Sequence, residues 1–395
     1  MRSRIWPWVA KTIAGGYQRR LSAEPSGTTY VIADGDSADA VGYKESALAR
    51  LRLGAGGIAV VLPTYVGRAS AKGHREMVAA MLSQMSQIRG THPATQLVLL
   101  VGMQWDGGGR EESLRRLGEL ACLAARSHIP FVGLSLAKSR KAATLNAAIH
   151  VADDFRADGV AWVDDDVTLE PYCLQRMVER FTAKGCRGAV GAVKEGRPRP
   201  NLASRLLFLA KAVTQPACNY PHGCCILVER RVVEAGIPPR YVSDDGYVCF
   251  ELLDPSRPNP LELLELVPNA RCLHYVGGSS GQNRVRIRRM LTNHLIFMSD
   301  YPPATGSYYF RHILFYGLWP LAPWDSSSPP HVAAAKWVLK SLYLCWFLRV
   351  GTELFVRGLI KRPQTDIPWG GVTDSDAPPL YNSTASMAVR ARENG

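Results

Sequence analysis

The sequence predicts an α/β fold in which a mostly parallel central sheet carries helices on both faces. Short, continuous apolar runs such as residues 58–62 recur along the first half of the chain, and such runs are typical of buried parallel strands. Between them, segments such as residues 74–88 place apolar side chains at helical spacing. The alternation of the two patterns favours a parallel sheet, whose ligands bind beyond the carboxyl ends of the strands.

The individual elements follow in order from these two patterns. The predicted strands lie at residues 58–62, 96–101, 130–134 and 159–163, and the predicted helices at 74–88, 111–125 and 141–153. A further β-like run, residues 28–32, lies in a lead-in segment that carries no chemical motif. We therefore expect the main domain to begin at Gly57.

Composition narrows the class of protein. The 395-residue chain has a formal net charge of +13, and its nine cysteines are scattered without a C-x-x-C pair. The length allows one large domain or two, and the charge is compatible with nucleic acid, an anionic membrane surface or phosphorylated substrates. The cysteine spacing does not suit a zinc site and fits a reducing compartment better than a disulfide framework. We expect a cytosolic catalytic domain.

Three consecutive aspartates, Asp164, Asp165 and Asp166, directly follow the apolar run 159–163. Carboxylates this close repel one another unless a cation neutralises them, and oxygen-rich clusters suit Mg²⁺ or Mn²⁺, which keep positions for substrate phosphates. In an extended chain, Asp164 and Asp166 would point the same way and Asp165 the opposite way. The pattern predicts a metal–diphosphate site; the alternative is a solvated loop or a helix cap.

Four further blocks accompany the aspartates in a fixed order. They are the strand end Pro63-Thr64-Tyr65, a helix start with Lys141 and Asn146, a small-residue strand at 223–230, and the pair Asp244-Asp245 before Gly246. Together with the D-x-D aspartates, these blocks resemble those of a family-2 glycosyltransferase with the GT-A fold, over roughly residues 57–290.

The resemblance implies a role for each block. It implies a divalent metal, Mn²⁺ or Mg²⁺, held by Asp164, Asp166 and His274, and it makes Asp245 the base for the acceptor hydroxyl, with Asp244 replacing a more usual glutamate. His274 as a hydrogen-bonded core residue, and the aspartate pair as a turn signal, are the alternatives. The residues implied in nucleotide-sugar binding are Pro63, Thr64, Tyr65, Asp106, Lys141, Asn146, Asp164, Asp165, Gln282, Arg284 and Arg286.

The reaction that the resemblance implies is inverting transfer of a sugar, expected to come from a UDP-sugar, to a hydroxyl of a glycan, glycolipid or small molecule. The sequence departs from the family pattern after the second strand, where no carboxylate follows until Asp106. The identity of the nucleobase is therefore left undetermined, and Trp105 is a candidate for stacking on it. No tryptophan follows the arginines of 284–289, which removes support for a processive polymerase. An alternative interpretation is that Lys141, Asn146 and these arginines are ordinary helix or surface residues.

The remaining segments suggest a membrane surface. We expect a basic N-terminal arm and lead-in at 1–56, the GT-A catalytic domain at 57–300, aromatic and amphipathic helices at 301–370, and a disordered tail at 371–395. The longest uncharged stretch of residues 333–361 is 341–348, far short of the ~20 residues that a spanning helix needs. This favours peripheral attachment to the inner face of the membrane; the alternative is a C-terminal helix packed on the catalytic domain.

Two other functions compete with this prediction. A nucleotidyltransferase of related fold would need a glycine- and arginine-rich loop after the first strand, where the chain has Val66-Gly67-Arg68. A non-catalytic protein that binds membrane or nucleic acid would depend on positive charge alone, and its binding would fall steeply with salt. The ordered acidic motifs argue against such a binding protein. We therefore expect a nucleotide-sugar donor and a hydroxyl acceptor as partners, and no nucleic acid.

Overall fold

The computed structural model describes residues 28–33, 57–197, 221–238, 240–241, 243–275, 280–314 and 330–359. In this part of the chain a single sheet has the strand order β1-β4-β3-β2-β5-β8-β7-β9-β6. The strands are β1 Thr28–Ala33, β2 Ile58–Tyr65, β3 Leu97–Trp105, β4 Phe131–Ala137, β5 Gly159–Val163, β6 Val167–Leu169, β7 Ala189–Arg197, β8 Cys225–Glu229 and β9 Leu264–Tyr275.

The sheet confirms the predicted fold class. Strands β4, β3, β2 and β5 pair in parallel, and β7 pairs in parallel with β9. Strand β8 runs antiparallel to both β5 and β7, so six of the nine described strands point the same way. The protein is therefore a mixed α/β structure with a mostly parallel central sheet.

The lead-in segment contributes a strand to this sheet. β1 pairs antiparallel with β4, from Thr28 opposite Leu136 to Ala33 opposite Phe131. It thereby covers the edge of β4 that would otherwise present unpaired backbone groups. The sheet thus reaches beyond the expected start of the main domain at Gly57.

Helices cover both faces of the sheet. They are α1 Ala71–Thr91, α2 Arg110–Arg126, α3 Lys141–Asp154, α4 Cys173–Ala183, α5 Arg230–Val233, α6 Asp244–Leu252, α7 Ser280–Asp300, α8 Pro303–Tyr309 and α9 Pro330–Leu359, with a π-helical turn at Phe310–Leu314. Alternate residues of β2 face opposite ways: Val60 belongs to the core that also contains residues of α1, α2 and α4, and Val61 to the core that also contains residues of α3, α6, α7 and α9. Two apolar cores, one on each face, result from this alternation.

Several predicted features lie outside the described residues. They are the N-terminal arm and lead-in apart from residues 28–33, residues 315–329 and 360–370 of the expected aromatic and amphipathic helices, and the tail at 371–395. Among the described helices, none is both long enough and apolar enough to cross a membrane.

The turn before β7 depends on a glycine, which gives a stability prediction. Gly188 has φ +73°, and a Cβ there would lie 2.3 Å from the carbonyl oxygen of Leu263. Gly185 has a similar φ of +67°, but a Cβ there would meet nothing within 4 Å. We expect Gly185→Ala to lower the free energy of unfolding by about 1–2 kcal/mol, the cost of the left-handed conformation alone, and Gly188→Ala to lower it by clearly more. Equal losses in urea unfolding would contradict this explanation.

Candidate active site

The three aspartates lie at the carboxyl edge of the sheet, in a tight turn between β5 and β6. The amide of Val167 donates to the carbonyl of Asp164 at 3.4 Å, and the amide of Asp164 donates to the carbonyl of Cys224 at 2.9 Å. Because the chain turns here, strand alternation does not by itself set the directions of these side chains, and Asp164 contacts Lys141. Asp165 and Asp166 instead share one cation: Arg68 lies 3.4 Å from Asp165 Oδ1 and 3.5 Å from Asp166 Oδ2.

Lys141 joins the aspartates to a second acidic pair. Its Nζ lies 2.5 Å from Asp164 Oδ1 and 2.8 Å from Asp244 Oδ2, and it donates to the carbonyl of Gly223 at 3.0 Å. Burial alone would lower the pKa of Lys141, but the two carboxylates raise it above its ordinary value. Burial raises the pKa of Asp164 to about 7, although Lys141 opposes the shift. One ammonium therefore holds a carboxylate from the turn after β5 and one from the start of α6 in a single partly buried cluster.

Asp245 is hydrogen-bonded through both of its oxygens. Oδ2 accepts from the amide of Gly223 at 3.1 Å, and Oδ1 accepts from the amide of Gly246 at 2.8 Å and from the hydroxyl of Ser243. Burial acts to raise the pKa of Asp245, but the Ser243 hydrogen bond and the charge of His222 outweigh it, so the pKa lies below its ordinary value. The side chain is consequently ionised at neutral pH, as a proton acceptor must be.

Gly223 makes this arrangement sterically feasible. A Cβ at Gly223 would lie 2.9 Å from Asp244 Oδ2 and 3.1 Å from Asp245 Cβ. The missing side chain lets the Gly223 carbonyl reach Lys141 while its amide reaches Asp245. The small-residue strand predicted at 223–230 thus begins at a point where a larger residue would displace the acidic pair.

A second polar group lies at the ends of β2, β3 and β4. Lys138 Nζ donates to Asp106 Oδ2 at 2.7 Å and lies 4.8 Å from the centre of the Tyr65 ring. The hydrogen bond from Lys138 lowers the pKa of Asp106, and a second hydrogen bond, with Tyr65, lowers it further. The structure therefore brings Tyr65 and Asp106 together, as members of the predicted nucleotide-binding set. Pro63 is buried in β2 beside Gly102 of β3.

Other predicted binding residues lie elsewhere. Asn146 donates from Nδ2 to the carbonyl of Ile237 at 2.9 Å and accepts from the amide of Ile237 at 2.7 Å, which fixes the turn after α5. Arg284 is exposed on α7. Gln282 and Arg286 lie on the same helix, and their side chains are outside the described part of the structure.

His274 lies beside the aspartate turn. It pairs with Val167 across β6 and β9, and its Nδ1 contacts the carbonyl oxygen of Glu195 at 2.9 Å. Because a carbonyl can only accept, Nδ1 carries the proton, and in the neutral ring Nε2 is the acceptor nitrogen. A backbone carbonyl on the other ring nitrogen is the usual support for a metal-binding histidine.

The aspartates fit a metal that binds together with its substrate. In the described part of the chain no group of three His, Cys, Asp or Glu side chains is arranged to hold a metal ion, so Asp164, Asp166 and His274 do not form a ready three-ligand cage. Mg²⁺ and similar hard cations are usually bound by one or two carboxylates together with substrate phosphates, which is the donor set that Asp164 and Asp166 offer.

Two cationic side chains of the site were not predicted from sequence. Arg68 follows the end of β2 by three residues, and Lys138 directly follows β4. Both contact carboxylates at the same edge of the sheet. Their positions in the sequence could have identified them, because both are basic residues that lie just beyond the carboxyl ends of strands near the acidic cluster.

Comparison with known protein families finds none that matches the chain, and no curated protein matches it. Solved structures with some likeness include glucosyl-3-phosphoglycerate synthase from Mycobacterium tuberculosis in complex with Mn²⁺, UDP and glucosyl-3-phosphoglycerate, at 14% identity and a TM-score of 0.39, covering 63% of this chain and 81% of that one. TarS from S. aureus, residues 1–349 in complex with UDP-GlcNAc, has 11% identity and a TM-score of 0.36, covering 76% of this chain and 91% of that one. Because these TM-scores are below 0.5, the proposal that follows rests on the site of this chain alone.

Proposed function

We propose that this protein is a metal-dependent glycosyltransferase of the GT-A type, which moves a sugar from a nucleotide-sugar to an acceptor hydroxyl. The observation that supports this most directly is the partly buried contact of Lys141 with both Asp164 and Asp244. It places the carboxylates suited to a metal–diphosphate next to the acidic pair suited to a hydroxyl. A transfer reaction needs these two functions side by side.

On the donor side, Asp164 and Asp166 would hold Mn²⁺ or Mg²⁺ together with the diphosphate oxygens. When bound, the metal neutralises the negative charge that develops on the departing nucleoside diphosphate. Arg68, within 3.5 Å of Asp165 and Asp166, is placed to add positive charge at the same edge. Tyr65, Asp106 and Lys138 form the polar group that we assign to the nucleoside, with a UDP-sugar as the proposed donor.

On the acceptor side, Asp245 is the proposed base. Its carboxylate takes the proton of the acceptor hydroxyl while the hydroxyl oxygen forms a bond to the anomeric carbon and the bond from that carbon to the diphosphate breaks. A single displacement of this kind inverts the anomeric configuration. Asp244 is bound to Lys141, whereas Asp245 accepts hydrogen bonds from Gly223, Ser243 and Gly246, so the two carboxylates have different surroundings. We therefore assign the proton transfer to Asp245 and the positioning of the cluster to Asp244.

A thermal-shift screen tests the proposed function. The protein is heated with UDP, GDP, CDP or dTDP, each with and without Mn²⁺. A ligand that binds the native state stabilises it by mass action, by about 2.7 kcal/mol at a concentration of 100 Kd. We expect one diphosphate, UDP, to raise the melting temperature when Mn²⁺ is present. The absence of any shift, or a shift that ignores Mn²⁺, would overturn the proposal.

We also propose that the protein attaches to a membrane surface through α9. In the described residues, large exposed apolar side chains are concentrated on one face of α9, whereas Phe347, Val350 and Leu354 on its other face are buried. The exposed apolar residues of this face are Trp337, Val338, Leu342, Leu348, Phe355 and Val356. Residues 330–359 contain four lysines and arginines and a single acidic residue, Glu353, which pairs with Arg288 at 2.6 Å and with Arg357 at 3.0 Å. An exposed apolar face on a helix with a net positive charge suits an anionic lipid surface.

Vesicle co-sedimentation tests the attachment. We expect binding to phosphatidylcholine vesicles that contain phosphatidylglycerol, and the double substitution Leu342→Gln/Leu348→Gln should weaken it about tenfold or more, because each leucine contributes about 1.5–3 kcal/mol when fully buried. Tyr172→Gln, at an exposed position away from α9, is the matched control and should bind normally. Unchanged binding by the double variant would rule out this face as the attachment surface.

A further inference from the structure

A chain of hydrogen bonds reaches Asp165 from inside the protein. Thr64, near the end of β2, donates from Oγ1 to Asp165 Oδ2 at 2.9 Å. The same Oγ1 contacts His74 Nε2 at 3.2 Å, and His74 Nδ1 contacts Arg116 Nη1 at 2.9 Å. The four side chains come from β2, α1, α2 and the turn after β5, so the chain links separate parts of the fold to the acidic cluster.

Elementary chemistry fixes the direction of every bond in this chain. A guanidinium can only donate, so Arg116 donates to Nδ1, which must carry a lone pair. The neutral imidazole then has its proton on Nε2 and donates it to the Thr64 oxygen. The Thr64 hydroxyl, with its oxygen accepting from His74, directs its own proton to Asp165. Burial, followed by the charge of Arg116, lowers the pKa of His74 to about 4, in agreement with a neutral ring.

The inner members of the chain are shielded from water and anchored. Thr64 is 1% exposed and His74 is 2% exposed. Arg116 also donates to the carbonyl of Ala69 at 2.8 Å, so it ties the loop that carries Arg68 to the same network. Hydrogen bonds that are sheltered in this way restrict side chains to one arrangement more effectively than solvated ones.

We propose that His74 is a positioning residue for donor binding: through the hydroxyl of Thr64 it holds Asp165 in the orientation that contacts the nucleotide-sugar. The proposal rests on the proposed function and extends it to a buried histidine that does not itself touch the donor. A purely structural role for His74, in joining α1 to β2, is the competing explanation. The two explanations differ in whether the effect of His74 passes through Thr64.

A double-mutant cycle separates the two explanations. The probe is UDP with Mn²⁺, its dissociation constant is measured by titration calorimetry, and the unfolding midpoint of each variant is recorded. Because either change removes support for the hydrogen bond that orients Asp165, and a hydrogen bond to a charged group contributes a factor of about 10 to 150 to an equilibrium constant, we expect Thr64→Val and His74→Leu each to weaken UDP binding about tenfold. Thr64→Ser and His74→Gln, which keep a hydroxyl and an amide donor, should stay close to the wild type.

The deciding variant is the double substitution Thr64→Val/His74→Leu. If His74 acts through Thr64, the double variant binds UDP as weakly as Thr64→Val alone, since the second change has nothing left to transmit. Additive losses, or variants that lose stability but bind UDP as the wild type does, would overturn the positioning role. If the wild type itself fails to bind UDP, GDP, CDP or dTDP with Mn²⁺, it is the proposed function that fails, and the proposal about His74 fails with it.

Discussion

Replacing Asp166 with alanine should lower kcat/KM for sugar transfer about 10²- to 10⁴-fold, because a metal contributes several kcal/mol of charge stabilisation in the transition state. The same change should hardly affect the fold. The Asp166 side chain is 49% exposed, and its ion pair with Arg68 at 3.5 Å is of the kind that contributes about 0–1 kcal/mol. The measurements are donor hydrolysis and transfer as a function of Mn²⁺ concentration, together with the unfolding midpoint.

Asp153→Ala is the matched control for this variant. Asp153 has a similarly exposed side chain and pairs with Arg230 on the far side of the domain from the aspartate turn. It should lose a comparable, small amount of stability and keep full activity. An Asp166→Ala enzyme that transfers sugar at the wild-type rate would refute the metal assignment.

Replacing Lys141 with methionine should destabilise the protein by up to about 3–5 kcal/mol, the loss when one partner of a fully buried ion pair is removed. The side chain of Lys141 is 12% exposed, and without it Asp164 and Asp244 would face each other with no shared cation. The free energy of unfolding from urea titration measures the effect. Adding Asp244→Asn to the variant removes one of the repelling charges and should recover part of the loss.

Lys138→Met provides the comparison for Lys141→Met. Lys138 also contacts a carboxylate, Asp106, at 2.7 Å, but its side chain is 54% exposed. Solvent and salt screen such a pair, so we expect a loss of about 0–1 kcal/mol. Equal losses of unfolding free energy for the two lysines would show that the lower exposure of Lys141 adds no stability to its contacts.

Local patterns in the sequence predicted the elements well because each of them buries a distinct apolar face. The run at 58–62 predicted β2, and the helical spacing at 74–88 predicted α1, although both extend a few residues further in the structure. The pairing of β1 with β4 was not predictable, since an edge strand is specified by its partner in space and not by its own short run. The fold class was predicted correctly because that prediction depends only on the alternation of strands and helices along the chain.

The site was predictable in its acidic members and not in its contacts. Asp164 and Asp244 stand out in the sequence as clustered carboxylates, but their meeting at Lys141 depends on how β5 and β8 are paired. The partners of Asp165, Thr64 and Arg68, were not predictable from strand alternation, because the chain turns after β5 and both partners come from the end of β2 or the residues just after it. The contact of Arg68 with the aspartates depends on strand order as well, so only tertiary structure reveals it.

The reversal of strand direction between β5 and β8 has a consequence for how the two halves of the proposed reaction are divided along the chain. Since β8 runs antiparallel to β5, the chain enters β8 at the edge where it leaves β5, and Gly223 meets Asp164 through their common contact with Lys141. Residues before 170 supply the proposed donor machinery, and residues after 220 supply the proposed acceptor machinery. Under the proposed function, acceptor specificity can therefore be altered by substitutions after residue 220 while Arg68, Asp165 and Asp166 keep their contacts.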